Sequence, residues 1–175
     1  MAKIKDQIQK LAKKVRLLIL DVDGVLTDNG IYLDDRGIES KRFNVIDGVG
    51  IRLAQKAGVE VALISGRPSK ATRFRASQLK IKHVSLGQPD KVKAYEKLKR
   101  TLKVKDDQIA YMGDDLLDVP VLRRVGLPIC VRNANPEVKR FARLVTETRG
   151  GEGAVREVVD MILKAKGENP LELAS

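Results

Sequence analysis

Asp21 and Asp23 stand two residues apart in the segment DVDGVLTD, separated by the apolar Val22. At the end of a strand that spacing directs both carboxylates toward one pocket and turns Val22 away. One carboxylate of such a pair can attack phosphorus and carry the phosphoryl group as an aspartyl phosphate. The other protonates the leaving oxygen and then deprotonates the attacking water. A second acidic group, Asp114, Asp115 and Asp118 in GDDLLD, follows another apolar run. Acids gathered at neighbouring strand ends repel unless a hard cation neutralises them, and Mg²⁺ takes few protein oxygens while leaving room for water and phosphate. A bound Mg²⁺ is expected on that ground. Charge on the transferring oxygens also calls for donors and a cation, which Ser65 after VALI and Lys91 after GQPD would supply. Each residue alone is ordinary, since Asp-Gly marks turns, Ser caps helices and Lys lies on surfaces. Their joint placement carries the argument.

The elements that must position these residues follow from hydrophobic period. An amphipathic opening helix with Ile4, Ile8, Leu11 and Val15 precedes the apolar run 15–20, VRLLIL, which reads as a strand buried on both faces. Residues 31–44 carry two strand-like stretches around Asp35-Arg36-Gly37 and are expected to form a projecting β-hairpin. Asp47 is expected to N-cap a helix that carries Val49, Leu53 and Ala57 and ends at Gly58, followed by a strand over 59–64. The alternation continues with helix 69–79, strand 83–86, helix 91–102, strand 109–112, helix 115–124, strand 127–131 and a closing helix from Ala154 to about Ala165. Alternating strands and helices imply right-handed crossovers and a doubly wound parallel α/β sheet, Rossmann-like, as one domain over 1–175. Such sheets bind ligands beyond the carboxyl ends of their strands, where Asp21, Ser65, GQPDK and Asp114 fall.

DVDGVLTD, SGR, a Lys opening a helix and GDD, in that order, resemble the four motifs of the haloacid dehalogenase superfamily. FNVIDGVGI, SGRPS, LGQPDK and GGEGAVRE resemble its small, capless branch of sugar-acid phosphatases. The likeness runs from Val15 to Glu157. It implies that Asp21 is the nucleophile, that Asp23 is the general acid and base, and that Mg²⁺ is held by Asp21, Asp114 and the backbone carbonyl of Asp23. Ser65 and Lys91 would hold the phosphoryl group, Asp115 and Asp118 would support the metal, and Thr27, Gly66, Arg67 and Arg75 would contact substrate.

The same resemblance implies a small anionic sugar phosphate as substrate, an octulosonate 8-phosphate or a nonulosonate 9-phosphate, and a place in lipopolysaccharide biosynthesis. It also implies a homotetramer in which the hairpins pack together and a neighbour helps close each site, with the tail 149–175 reaching toward a site. One departure is Ile46, which stands where many relatives carry Arg.

Composition narrows the alternatives. The chain has 34 Lys plus Arg against 23 Asp plus Glu in 175 residues, a formal charge of +11 that attracts anions without naming one. Aromatic residues are 3% of the chain and are scattered, which argues against a stacking platform for nucleic acid. The basic stretches TRFR and KRT are the best case for a polyanion-binding protein instead of an enzyme. His83 and Cys130 are each single, which argues against a Ser-His-Asp triad or a multi-histidine zinc site without a residue from another subunit, and excludes an internal disulfide. The charged opening helix is unlike a secretory signal and no apolar run reaches membrane length, so a cytoplasmic protein is expected, with no membrane partner.

Overall fold

The computed structural model describes residues 2–175; Met1 and the side chains of residues 2–5, Ile4 of the predicted apolar face among them, lie outside the described residues. In chain order the elements are α1 (Ala2–Lys14), β1 (Leu17–Leu20), β2 (Tyr32–Leu33), β3 (Glu39–Ser40), α2 (Val45–Lys56), β4 (Glu60–Ser65), α3 (Lys70–Gln78), β5 (His83–Leu86) and α4 (Lys91–Leu102). Then come β6 (Ile109–Gly113), α5 (Val119–Leu122), β7 (Leu127–Cys130), α6 (Pro136–Lys139), β8 (Leu144–Val145), α7 (Ala154–Lys166) and α8 (Pro170–Ala174). Six strands form one sheet in the order β5-β4-β1-β6-β7-β8, and all its pairings are parallel. The expected doubly wound sheet is therefore present, with β1 at its centre because LLIL is apolar at every position and buried at every position.

The chain runs outward from β1 to β4 and β5, then returns through α4 to β6 on the other side of β1. That reversal is the topological switch point, and it opens a crevice at the carboxyl end of β1. Leu20 pairs with Leu63 on one side and Met112 on the other, so the residues just after β1, β4 and β6 emerge together. The core beneath them is a continuous cluster that includes Leu18, Ile19, Ile64, Tyr111, Met112 and Ile129.

Asp47 does not cap the helix that contains it. The cap of α2 is Asn44, whose side-chain oxygen accepts the Ile46 N–H at 2.8 Å, three residues earlier than the sequence suggested. Asp47 instead turns inward, 1% exposed, and accepts N–H groups from Gly153 at 3.3 Å and Arg156 at 2.9 Å. These are first-turn donors of α7, whose own cap residue Gly153 has no side chain to offer. Helix α7 packs on both α1 and α2, and Asp47 closes its end across that interface.

The expected helix 115–124 is shorter and broken. Asp115 caps a single 3-10 turn over Leu116–Asp118, and α5 covers only Val119–Leu122, because the Asp118 side chain is occupied with Asp114 and Asp115 N–H groups. The hairpin 31–44 is present but its paired strands are two residues each, joined through Tyr32↔Ser40 and Leu33↔Glu39. A lone Thr27↔Phe43 bridge ties its base to the loop after β1. Ile31, Leu33 and Ile38 on it are 57%, 64% and 60% exposed. The short elements α6, β8 and α8 lie in segments left unassigned in the sequence.

Candidate active site

Four elements deliver the site. Asp21 follows β1 directly, its N–H donated to the Met112 carbonyl at 3.0 Å; Ser65 is the last residue of β4; Asp114 follows β6. Lys91 opens α4, where Asp90 caps the helix by accepting the Val92 and Lys93 N–H groups and so fixes the entry of the chain. Asp21, Asp23, Ser65, Gly66, Arg67, Lys91, Asp114, Asp115 and Asp118 all border one open pocket of about 370 Å³.

Asp21, Asp114 and Asp118 are buried and bring a carboxylate oxygen each within 4.8 Å of one another. The Lys91 ammonium, itself 5% exposed as a residue, lies 2.9 Å from Asp21 Oδ1 and 2.6 Å from Asp118 Oδ1. Asp118 is fully engaged: its Oδ1 also accepts the Tyr111 hydroxyl, and its Oδ2 accepts the N–H groups of Asp114 at 2.9 Å and Asp115 at 3.2 Å. Asp118 therefore braces the loop after β6, while Asp21 and Asp114 keep oxygens for the pocket.

Three acids around one lysine are not balanced. Burial, then the charge of Asp118, pushes the Asp21 carboxyl up to about 7 against the opposing pull of Lys91. Burial, then the charges of Asp21 and Asp118, pushes Asp114 up to about 8. Burial pulls Lys91 down, but Asp21 and Asp118 outweigh it and hold the ammonium above its ordinary value. The donor set left over is hard, anionic oxygen, which suits a divalent cation of the Mg²⁺ type. Close approach is built into the backbone as well: Gly24 has φ +85°, and a Cβ there would collide with the Asp114 carboxylate.

The structure also corrects the sequence reading. Thr27 does not face substrate; it is fully buried, and its hydroxyl takes the N–H of Gly24 at 3.3 Å and of Asn29 at 3.4 Å, shaping the loop after Asp23. Arg75 lies outside its own chain's pocket, against Gly48 of α2 and bonded to Gln78, because α3 carries it along the sheet face rather than over the strand ends. Asp115 is exposed at the pocket rim as a cap, so the bracing falls to Asp118. Arg67 does reach the rim, with its guanidinium 2.5 Å from Glu39 Oε2.

Two residues were missed. Asn29, at φ +68°, lines the pocket. Lys41 of the hairpin buries its side chain to 2% exposure and pairs with Asp23 Oδ1, with Glu39 Oε1 at 3.6 Å. The available signal was the period of GIESKRF, which puts Glu39 and Lys41 on one face of a strand.

A parallel sheet whose central strand ends carry buried acids and a lysine belongs to a recognised class, and the family model described as haloacid dehalogenase-like hydrolase matches residues 83–158. The 3-deoxy-D-manno-octulosonate 8-phosphate phosphatase of Yersinia pestis is 47% identical over 163 residues, covering 93% of this chain and 87% of the relative. Its crystal structure superposes with a TM-score of 0.92 over 93% of this chain and 88% of that chain. The Moraxella catarrhalis phosphatase of the same name, solved with a magnesium ion, a phosphate ion and a KDO molecule, is 37% identical with a TM-score of 0.93, covering 97% of each chain. The chain belongs to the 3-deoxy-D-manno-octulosonate 8-phosphate phosphatase family of haloacid dehalogenase-like hydrolases, and it is a phosphoric monoester hydrolase.

Proposed function

We propose that this chain hydrolyses 3-deoxy-D-manno-octulosonate 8-phosphate to the free sugar acid and phosphate, with Mg²⁺, through an aspartyl phosphate on Asp21. The observation that carries the reading is the meeting of Asp21, Asp114 and Asp118 around Lys91 at the switch point of the sheet. The substrate is supported by relatives named for that activity at 45–47% identity over nine-tenths of the chain.

In this reading an Asp21 oxygen attacks phosphorus while Asp23 gives a proton to the departing sugar oxygen. Asp23 then takes a proton from water as that water attacks phosphorus, releasing phosphate and restoring Asp21. Ser65 and Lys91 hold the phosphoryl oxygens, and Gly66 and Arg67 face the rest of the substrate. Mg²⁺, held by Asp21, Asp114 and the Asp23 carbonyl, would neutralise charge on those oxygens and let the acids crowd together. We further propose a single domain that acts in the cytoplasm as a homotetramer, its exposed hairpins packed together. No helix among the described residues is long and apolar enough to cross a membrane.

The test is a phosphate-release screen with Mg²⁺ over octulosonate 8-phosphate, nonulosonate 9-phosphates and hexose phosphates. A strong preference for the first supports the proposal; a flat profile rejects the substrate and leaves the reaction class. Asp21→Asn lowers turnover by orders of magnitude with the fold intact, and near-normal turnover in that variant rejects the covalent route.

A further inference from the structure

The sheet has two unlike edges. The connections that leave its strands (21–44, 66–69, 87–90, 114–118, 131–135 and 146–153) hold twelve Asp and Glu against six Lys and Arg. Those that enter its strands (15–16, 57–59, 79–82, 103–108, 123–126 and 140–143) hold nine Lys and Arg against two Asp. Acids therefore gather at the catalytic edge and bases at the opposite one. All nine bases are exposed, and among the described residues only Arg140 has a carboxylate partner, Glu137 at 2.6 Å. The two acids are already taken, Asp106 by Lys99 at 2.9 Å and Asp107 by Lys14 at 3.3 Å.

Helix ends account for only part of this. A helix C-terminus carries about half a negative charge, so the six that lead into strands offset about three positive charges. The connections alone hold a surplus of seven, nine less two, and last-turn bases such as Lys13, Lys56 and Lys164 add to it. Like charges are pressed together here. The Lys166 ammonium donates to the Lys13 carbonyl at 3.3 Å, and burial, together with Arg16, holds it below its ordinary value against the pull of Glu168. Arg52, Lys56, Lys80 and Lys82 line one open cleft of about 310 Å³.

Six strands about 4.8 Å apart make this edge roughly 25 Å wide, and the ends of the covering helices broaden it into a patch rather than a stripe. None of the exposed large apolar side chains falls in these connections. The edge therefore has neither a wedge for a bilayer interior nor a stacking platform for bases. No element projects from it to enter a nucleic-acid groove, because the helices end there. A broad, smooth basic patch matches a plane of phosphates. We propose that the strand-entry edge docks on an anionic lipid bilayer through its headgroup phosphates, with the catalytic pocket facing away from the lipid. The expectation of no membrane partner rested on the lack of long apolar runs, and attraction by charge needs none. The hairpin follows β1 at the other edge, so packing through hairpins does not use this patch.

Flotation of the full chain with vesicles tests this. Binding is expected to phosphatidylcholine vesicles containing about one-third phosphatidylglycerol, not to phosphatidylcholine alone, and is expected to fall as salt rises from about 50 to about 500 mM. Lys56→Glu/Lys82→Glu/Arg143→Glu is expected to weaken binding at least about 100-fold. Lys70→Glu/Arg73→Glu/Lys93→Glu, the same change in net charge near the other edge, is expected to weaken it less than about threefold. Phosphate release from p-nitrophenyl phosphate reports that each variant is folded, and is expected to be as fast in vesicle-bound wild type as in free. If the first triple variant does not fold, Lys82→Glu alone replaces it, with an expected loss of about fivefold. No binding to anionic vesicles, equal losses in the two triple variants, or turnover lost on the vesicle each overturn the proposal. Tighter binding to duplex RNA than to vesicles at equal phosphate concentration assigns the patch to nucleic acid and overturns it too.

Discussion

The carboxylate of Asp47 accepts the backbone N–H of Arg156 at 2.9 Å, so a side chain of one helix closes the first turn of another 109 positions away. Burial raises the Asp47 carboxyl, and the N–H groups of Arg156 and Gly153 work against that rise. The carboxylate therefore sits where its loss leaves two donors unsatisfied.

Asp47→Ala is expected to destabilise the fold by about 2–3 kcal/mol, since it removes a helix cap and two bonds to a carboxylate. For a chain of this size that is a fall in Tm of about 5–10 °C. Asp47→Asn keeps the acceptor and is expected to lose about half as much. Thermal melts of the two variants check this, and an unchanged Tm in the alanine variant rejects the capping role.

Asp21 and Asp114 make stability depend on pH and metal together. Both have folded values, about 7 and about 8, above the unfolded value of 3.8. Without metal, the folded chain holds protons that the unfolded chain has lost. The stability these groups contribute is full below about pH 4 and is lost as pH rises through 7 and 8. A divalent cation favours the ionised acids and reverses the trend. The stabilisation on adding Mg²⁺ is therefore expected to grow from about pH 5.5 to about pH 8.5, reaching about 3 kcal/mol at a hundredfold excess over Kd. Melts with chelator and with Mg²⁺ across that range measure it, and a pH-independent shift is the contrary result.

Lys91→Met leaves Asp21 and Asp118 buried without the ammonium that now lies within 2.9 Å of both. Breaking a buried pair in this way costs about 3–5 kcal/mol. Denaturant unfolding is expected to show that loss in the metal-free protein and a partial recovery with Mg²⁺. A variant as stable as the parent means that the acids are protonated when Lys91 is absent.

The hairpin presents Ile31, Leu33 and Ile38 to solvent at more than half exposure. A two-stranded ribbon of this kind is marginal alone, and three exposed apolar side chains on it suit a contact surface. Leu33→Ser/Ile38→Ser is expected to shift sedimentation from the proposed tetramer to smaller species, with turnover falling in parallel. A wild type that sediments as a monomer at micromolar concentration removes the tetramer from the proposal.

The buried strands were legible because parallel strands covered on both faces must be apolar throughout, as LLIL and IAYMG are. The same logic placed Asp21, Ser65, Lys91 and Asp114, each anchored to the end of a clear element. What was illegible depended on distant partners. Asn44 and Asp47 are both good cap residues, and which of them caps α2 is decided by where α7 lies. Thr27 and Arg75 matched a pattern by position, but burial turned the first into a loop brace and α3 carried the second away from its own pocket. Lys41 shows nothing by itself; its partner Asp23 is 18 residues earlier, and the bridge at Phe43 brings them together. The two-residue strand β8 is too short to display a period.

The packing of α7 on α1 and α2 has a consequence for how the chain is made. The central strand β1 emerges early from the ribosome, but β6 on one flank and the helix that covers α1 and α2 come much later. Contacts of such long sequence separation form slowly and leave apolar surface open in the meantime. The step that seals α1 and α2 therefore waits for α7, and a ribosome stalled before residue 154 holds a sticky intermediate that calls for chaperone protection.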